Sequence, residues 1–390
     1  MARFSRHGSP PTSFNDRHRS FDMHATLPAL LLASALFPLY ASAAPPVLAL
    51  VALPSTAKPA PGSEHSIGNM PLATSQQGLG LCFSHSAAAV FNYYQCQAAK
   101  EDCTRIDKNQ LAAPLDMARF GRKPTGEVDS VASYEDIDEG GDPLYTLETA
   151  ALMVGSVVSQ ACFSEEKLFK DKFVPSGAIS AEDVKAQRAV LKALEDFYQQ
   201  NRLKAPCAEC VASATQVAEL QAIYATTRDP RGIAQALGKP HFGGFFSAII
   251  IPPECRRLSR RALFELQDKL QIRALPETAA QNNFAGLYPA LKQAIDADNP
   301  VIIANVCLYR GAKQKKCPEQ YRHSLVAYAH ARLCTPQGQC QEGLKVLNSW
   351  GEQWQNHEGQ QWFDARRLLD STGYGKQSIG WLEHKSADQD

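Results

Sequence analysis

Three side chains in this 390-residue chain can together carry acyl transfer, and they occur in the order Cys82, His323, Asn348. Cys82 lies in Gln76-Gln77-Gly78-Leu79-Gly80-Leu81-Cys82-Phe83-Ser84, a glycine turn ahead of an amphipathic run. From Phe83 the apolar positions Phe83, Ala87, Val90, Phe91 and Tyr94 recur at helical spacing, which puts Cys82 at or near a first helical turn. There the helix dipole and the free backbone N–H groups favour a thiolate. A thiolate nucleophile needs a base to take its proton and a site that stabilises an oxyanion. His323 heads the strand-like run Arg322-His323-Ser324-Leu325-Val326-Ala327-Tyr328, and Asn348 ends another, followed by Ser349-Trp350-Gly351. Paired strands bring the two side by side, and a carboxamide on the far nitrogen fixes the imidazole's tautomer and plane. Trp350 is placed to cover that hydrogen bond and exclude water from it.

The elements needed are therefore a helix from Cys82 and two strands that lead to His323 and Asn348. Glu139-Gly140-Gly141-Asp142-Pro143 is a sharp turn, with a helix expected after it from Leu144. Another helix is expected around residues 109–120. Residues 183–198 and 212–226 are helix-like with one charged face. Residues 163–240 accordingly read as a helical insertion with its own small core. Residues 242–251, Phe-Gly-Gly-Phe-Phe-Ser-Ala-Ile-Ile-Ile, read as a strand ended by two prolines. A short helix over 287–295 and strands over 301–308, 324–333 and 343–347 complete the outline.

With these residues in place, the chain resembles the papain family of cysteine peptidases. Asn348-Ser349-Trp350-Gly351, with Trp354 four residues after Trp350, carries the resemblance best. His323 with the following Ser-Leu-Val-Ala-Tyr resembles that family's histidine strand, and Gly80 matches the glycine two before its cysteine. The resemblance implies that Gln76, six before Cys82, lends its amide to the oxyanion hole together with the Cys82 N–H; Gln77 is the one-residue-slip alternative. It further implies that Gly140 and Gly141 hold the substrate backbone and that Trp350 borders the substrate site. The implied fold is α+β in two lobes, one helical and one β-rich, with the cleft between them. The departures are specific. The family pattern C-G-[SA]-C-[WY] reads Leu79-Gly80-Leu81-Cys82-Phe83 here, and Asp138 stands where its partner cysteine is expected. Cys82 and His323 lie 241 positions apart, against a family spacing of roughly 130–150. The expected division is a signal peptide (1–43), an extended arm (44–70), a helical lobe (71–162), a mainly helical insertion (163–285) and a β-rich lobe (286–390). The usual inhibitory pro-region has no counterpart between Ala44 and Gln76, which leaves latency to the insertion or to a partner such as an inhibitor protein.

Formal net charge is zero, with 40 basic and 40 acidic side chains, so nothing argues for nucleic acid or a membrane surface as partner. The expected partner is a peptide or protein substrate, bound by a monomer. Arginines at 3, 6, 17 and 19 precede an apolar run over 27–40, and Ala41-Ser42-Ala43 offers a cleavage site. That predicts export to the periplasm or beyond, with translation starting at Met1 or Met23; the alternative is an uncleaved anchor. Eleven cysteines fit an oxidising compartment. Cys96/Cys103, Cys307/Cys317 and Cys334/Cys340 are candidate short-range disulfides. Cys162, Cys207, Cys210 and Cys255 allow three connectivities. Cys207-Ala-Glu-Cys210 lacks a second CxxC, so neither a metal nor a cofactor is expected. His85 is expected half-buried or at the cleft rim without a catalytic role, His330 and His357 in solvent, and Asp142 and Glu148 beside the glycine pair, in a position to shape substrate preference. Two other readings share these residues: a catalytically silent peptide-binding protein, and a thiol amidase or transamidase acting on cell-wall peptides.

Overall fold

The computed structural model describes residues 49–122, 136–163, 165–175, 179–251, 253–258, 260–263, 266–308, 317–318, 321–372 and 377–385. The expected signal peptide and both candidate start residues lie outside these. In chain order the arm contributes β1 (Lys58–Pro59) and β2 (His65–Ser66), and the cysteine opens α1 (Cys82–Ala99). After it come α2 (Pro114–Met117), α3 (Pro143–Glu148) and β3 (Ser156–Val158). The middle of the chain holds α4 (Glu165–Phe169), α5 (Ala181–Asn201), α6 (Ala214–Ile223), α7 (Pro230–Leu237), α8 (Phe242–Ile250) and α9 (Pro253–Leu258). Next are β4 (Arg260–Ala262), β5 (Leu270–Leu275), α10 (Phe284–Asp296), β6 (Val301–Cys307), β7 (Arg322–Cys334) and β8 (Cys340–Leu347). The chain closes with α11 (Gly351–His357), β9 (Phe363–Asp364), α12 (Ala365–Asp370) and β10 (Ile379–His384). The fold is α+β. No helix among the described residues is long and apolar enough to cross a membrane.

The main sheet runs β5-β10-β6-β7-β8-β9, with every neighbouring pair antiparallel. β7 is its spine. Its first half pairs with β6, and β1 and β2 of the arm pair with its second half through Lys58↔Cys334 and His65↔His330. The register Val326↔Leu347 between β7 and β8 places His323 and Asn348 near one another at the end of the sheet. Helix α1 packs against β7 and α3, and it is buried nearly all round, from Phe83 through Phe91 to Cys96. It therefore behaves as a core helix. Its far end closes on Lys100 in the left-handed region, whose N–H donates to the Cys96 and Gln97 carbonyls.

Two of the expectations for the middle segment change. Residues 242–250 form helix α8 rather than a strand, because an unbroken apolar run has no period to choose between the two. Packing against α5 and α7 decides it: Phe245 and Ile249 are buried beside Leu194, Phe197 and Leu237. The segment's core is also not its own. One apolar cluster runs from Leu79, Leu81 and Phe83 through Leu115 and Val158 to Tyr198, Ile233 and Phe245. The loop carrying the nucleophile is thus packed into the inserted helices. At the other end of the segment β5 leaves the helices and pairs with β10 over six residues, as an edge strand of the main sheet.

Disulfides join Cys96–Cys103, Cys307–Cys317 and Cys334–Cys340. The four cysteines with open connectivity pair as Cys162–Cys255 and Cys207–Cys210. Cys82 is the free cysteine among the described residues.

Candidate active site

The loop before Cys82 is tied down at each polar position, and that sets where the cysteine points. Ser75 bridges Trp350, Gln76 N–H donates to the Ser349 carbonyl (2.9 Å) and Gly351 N–H to the Thr74 carbonyl (3.1 Å). Gly78 N–H donates to Gln187 Oε1 on α5 (2.6 Å), and Gly80 N–H to Glu139 Oε1 (2.6 Å). Gly140 N–H returns to the Gly80 carbonyl (2.9 Å), which couples the nucleophile loop to the glycine pair. Gly140 has φ +74°, in the left-handed region. Gly141 has no room for a side chain, since an added Cβ would lie 2.6 Å from the Phe83 ring and 2.9 Å from Gly121 Cα.

Cys82, His323, Gln76, Gly140, Gly141 and Trp350 line one cleft of about 510 Å³. Arg122, Glu139, Arg188 and Asn305 line it too; Arg188, on α5 of the inserted segment, is ion-paired with Glu139. Asn305 sits in the left-handed region (φ +56°) at the irregularity between β6 and β7. A neighbouring depression of about 700 Å³ shares Arg122 and includes Asp142 and Glu148. Within it Asp142 caps α3, accepting from the Leu144 and Tyr145 N–H groups.

Asn348 Oδ1 lies 2.7 Å from His323 Nε2. Its orientation follows from a neighbour: the Ser349 N–H donates to the same Oδ1 (2.8 Å), so this atom is the oxygen. His323 Nε2 must then be the protonated nitrogen, which leaves Nδ1 as the basic one. Gln355 braces the turn, accepting from Asn348 N–H (3.1 Å) and donating to the Val346 carbonyl (3.0 Å). Trp350 stacks on the His323 ring at 5.0 Å, and Trp354 meets Trp350 edge-on at 5.4 Å. His323 and Asn348 are both buried.

Gln76 is oriented in the same way. Its Oε1 accepts from the Ser349 hydroxyl (2.6 Å) and its Nε2 donates one hydrogen to the Leu79 carbonyl (2.8 Å), so the second amide hydrogen remains to donate. Gln77, the slip alternative, points elsewhere: it is buried against Ser75, Val174 and Gln187.

Burial pushes the half-buried Cys82 thiol up to about 11, against the N–H groups of Ser324, Phe83 and Cys82 itself, which favour the thiolate. Burial likewise pushes His323 down to about 4, with the bond to Asn348 pulling the other way. Each group alone thus favours its neutral form. Burial of Cys82 thus opposes the thiolate that the helix dipole is expected to favour.

Two histidines lie where the sequence did not put them. His85 is buried behind the site, with Nδ1 2.7 Å from Thr74 Oγ1. His330 is buried on β7, bonded to Asp296 of α10 (2.7 Å) and stacked with His65 of the arm. His357 is exposed. Glu139, Ser349 and Gln355 also hold the site in place; in the sequence Glu139 stands only as part of a turn and Ser349 only as part of the Asn-Ser-Trp-Gly run, and Gln355 carries no signal of its own. Among the described residues no group of three or more His, Cys, Asp or Glu side chains is placed to hold a metal ion.

No family model matches the chain, and no curated protein matches it. Among solved structures it is similar to xylellain, a cysteine protease from Xylella fastidiosa, at 10% identity and a TM-score of 0.38, covering 87% of this chain and 98% of that one. It is also similar to the SERA5 proenzyme of Plasmodium falciparum, at 10% identity and a TM-score of 0.37 over 81% of this chain and 62% of that one. A third, SERA5E from the same organism, has 11% identity and a TM-score of 0.37 over 82% and 92% of the two chains. Here a cysteine heads a buried helix, a histidine on the facing strand bonds an asparagine, and a tryptophan covers that bond. The layout of these residues is the one that the papain-like resemblance of the sequence implies.

Proposed function

We propose that the protein is an exported cysteine peptidase that hydrolyses peptide bonds through an acyl-enzyme on Cys82. The observation that carries this reading is the His323–Asn348 bond, whose polarity is fixed by Ser349 N–H so that Nδ1 of His323 is the basic nitrogen. His323 Nδ1 takes the Cys82 proton as sulfur attacks the peptide carbonyl carbon, forming the S–C bond and an oxyanion. The Cys82 N–H and the remaining Gln76 amide hydrogen stabilise that oxyanion. The C–N bond then breaks as the imidazolium gives its proton to the leaving amine. In the second half His323 deprotonates water, which attacks the thioester, and the proton returns to sulfur as the acid leaves. Gly140 and Gly141 present backbone to an extended substrate, and Trp350 and Trp354 keep water off the His323–Asn348 bond. The five disulfides support export to an oxidising compartment.

The test compares wild-type protein with Cys82→Ser on an unfolded protein substrate and on purified peptidoglycan. Cleavage of the unfolded protein by the wild type, with none by a folded Cys82→Ser, is the expected result. Equal activity in Cys82→Ser contradicts the mechanism. Release of peptides from peptidoglycan with the unfolded protein untouched assigns a thiol amidase instead.

A further inference from the structure

A small cavity of about 20 Å³ has Thr74, His85, Ser324 and Asn348 among its lining residues. On the same measure a single water needs roughly 10–15 Å³. Two polar atoms of the lining residues are buried without a hydrogen-bond partner: Asn348 Nδ2 and His85 Nε2. Their chemistry is complementary. Asn348 Oδ1 already accepts from His323 and from Ser349 N–H, so Nδ2 is an NH₂ group with two hydrogens to donate. His85 meets Thr74 Oγ1 through Nδ1 (2.7 Å), and a hydrogen on Nδ1 donated to that hydroxyl leaves Nε2 as an acceptor.

We propose that His85 is a positioning residue for the His323–Asn348 pair, acting through one buried water that accepts from Asn348 Nδ2 and donates to His85 Nε2. The amide torsion of an asparagine is broad and two-fold, so a hold on Oδ1 alone leaves the plane free to rock. A second hold on Nδ2 fixes the plane and with it the imidazole that faces Cys82. Thr74 completes the arrangement by anchoring the His85 ring at Nδ1. Since Gly351 N–H donates to the Thr74 carbonyl, the same residue also tethers the turn after Trp350. This inference rests on the peptidase reading above, and its test is built so that the two can fail separately.

The experiment measures kcat and KM for His85→Phe, which keeps a ring without a polar atom, and for His85→Gln, whose terminal amide reaches the Nε2 position. Both are repeated in an Asn348→Ala background. The expected result is a roughly ten-fold fall in kcat for His85→Phe with KM unchanged, and substantial recovery in His85→Gln. His85→Phe should have no further effect once Asn348 is alanine, because the coupled pair is already lost. Should His85→Phe fail to fold, Thr74→Val, which removes the hydroxyl that anchors the His85 ring, is expected to lower kcat in the same direction. An unchanged kcat in the folded variants, or a loss of equal size in the Asn348→Ala background, overturns the proposal. Carbamidomethylation of Cys82 by iodoacetamide separates the two readings. An inert Cys82 in wild-type protein contradicts the peptidase reading and this proposal with it. A reactive Cys82 whose rate is the same in His85→Phe contradicts the positioning role alone.

Discussion

Ser349 serves both halves of the site: its N–H sets the Asn348 amide and its hydroxyl bonds the Gln76 amide. For Asn348 the Ser349 N–H decides which amide atom is oxygen, for Gln76 the Leu79 carbonyl decides which is nitrogen, and the chemistry follows from those choices. Gln76 is left with one hydrogen for an oxyanion, which develops only as the tetrahedral intermediate forms. Gln76→Ala should therefore lower kcat by about 10²–10³-fold with a smaller change in KM. Steady-state kinetics on a peptide substrate reads this directly, and an unchanged kcat would remove Gln76 from the oxyanion site. The same local logic shows why His85 and His330 could not be placed from sequence. Their burial depends on Thr74 in the loop before the nucleophile and Asp296 on α10, and nothing in the residues adjacent to either histidine announces those partners.

The elements that present the site were readable wherever a period was present. The 3.6-residue spacing after Phe83 gives α1, and the apolar runs around His323 and Asn348 give β7 and β8. Residues 242–250 had no period, and only the surrounding helices make them α8. Nor could the sequence show that the nucleophile loop shares a core with the inserted helices, because that contact joins Leu79 to residues more than a hundred positions away. Asp116 on α2 is a second long-range brace. It is buried, bonded to Arg119 Nε (2.7 Å), and accepts from Val158 N–H of β3 (3.0 Å). Burial raises its pKa, but Arg119, Arg256 and Val158 N–H outweigh burial and hold the carboxyl below the usual range. Asp116→Ala takes the buried carboxylate away from the Arg119 guanidinium and the Val158 N–H, at a cost of about 3–5 kcal/mol. Chemical denaturation should show that loss, and a change within about 0.5 kcal/mol would mean the brace is replaceable.

For the molecule as a whole, burial of neutral histidines ties stability to pH. Burial lowers His85 from 6.5 to about 3, with a further contribution from nearby His323, and lowers His323 from 6.5 to about 4. In the unfolded chain both protonate near 6.5, so below that pH the unfolded state binds more protons and gains. Their contribution is complete above about 6.5 and is lost as pH falls toward about 3. The melting temperature should begin to drop near pH 6, above the range where carboxylates titrate, and His85→Gln should flatten part of that slope. A melting temperature level from pH 7 to about 4.5 would contradict the burial of these rings as neutral groups. The central claim, a competent thiol in a folded cleft beside ten bonded cysteines, is tested most directly by intact mass. Folded protein is treated with an epoxysuccinyl thiol-protease inhibitor alongside Cys82→Ala, without reductant. One adduct on the wild type and none on Cys82→Ala is the predicted result. No adduct on wild-type protein that retains all five disulfides would contradict the account.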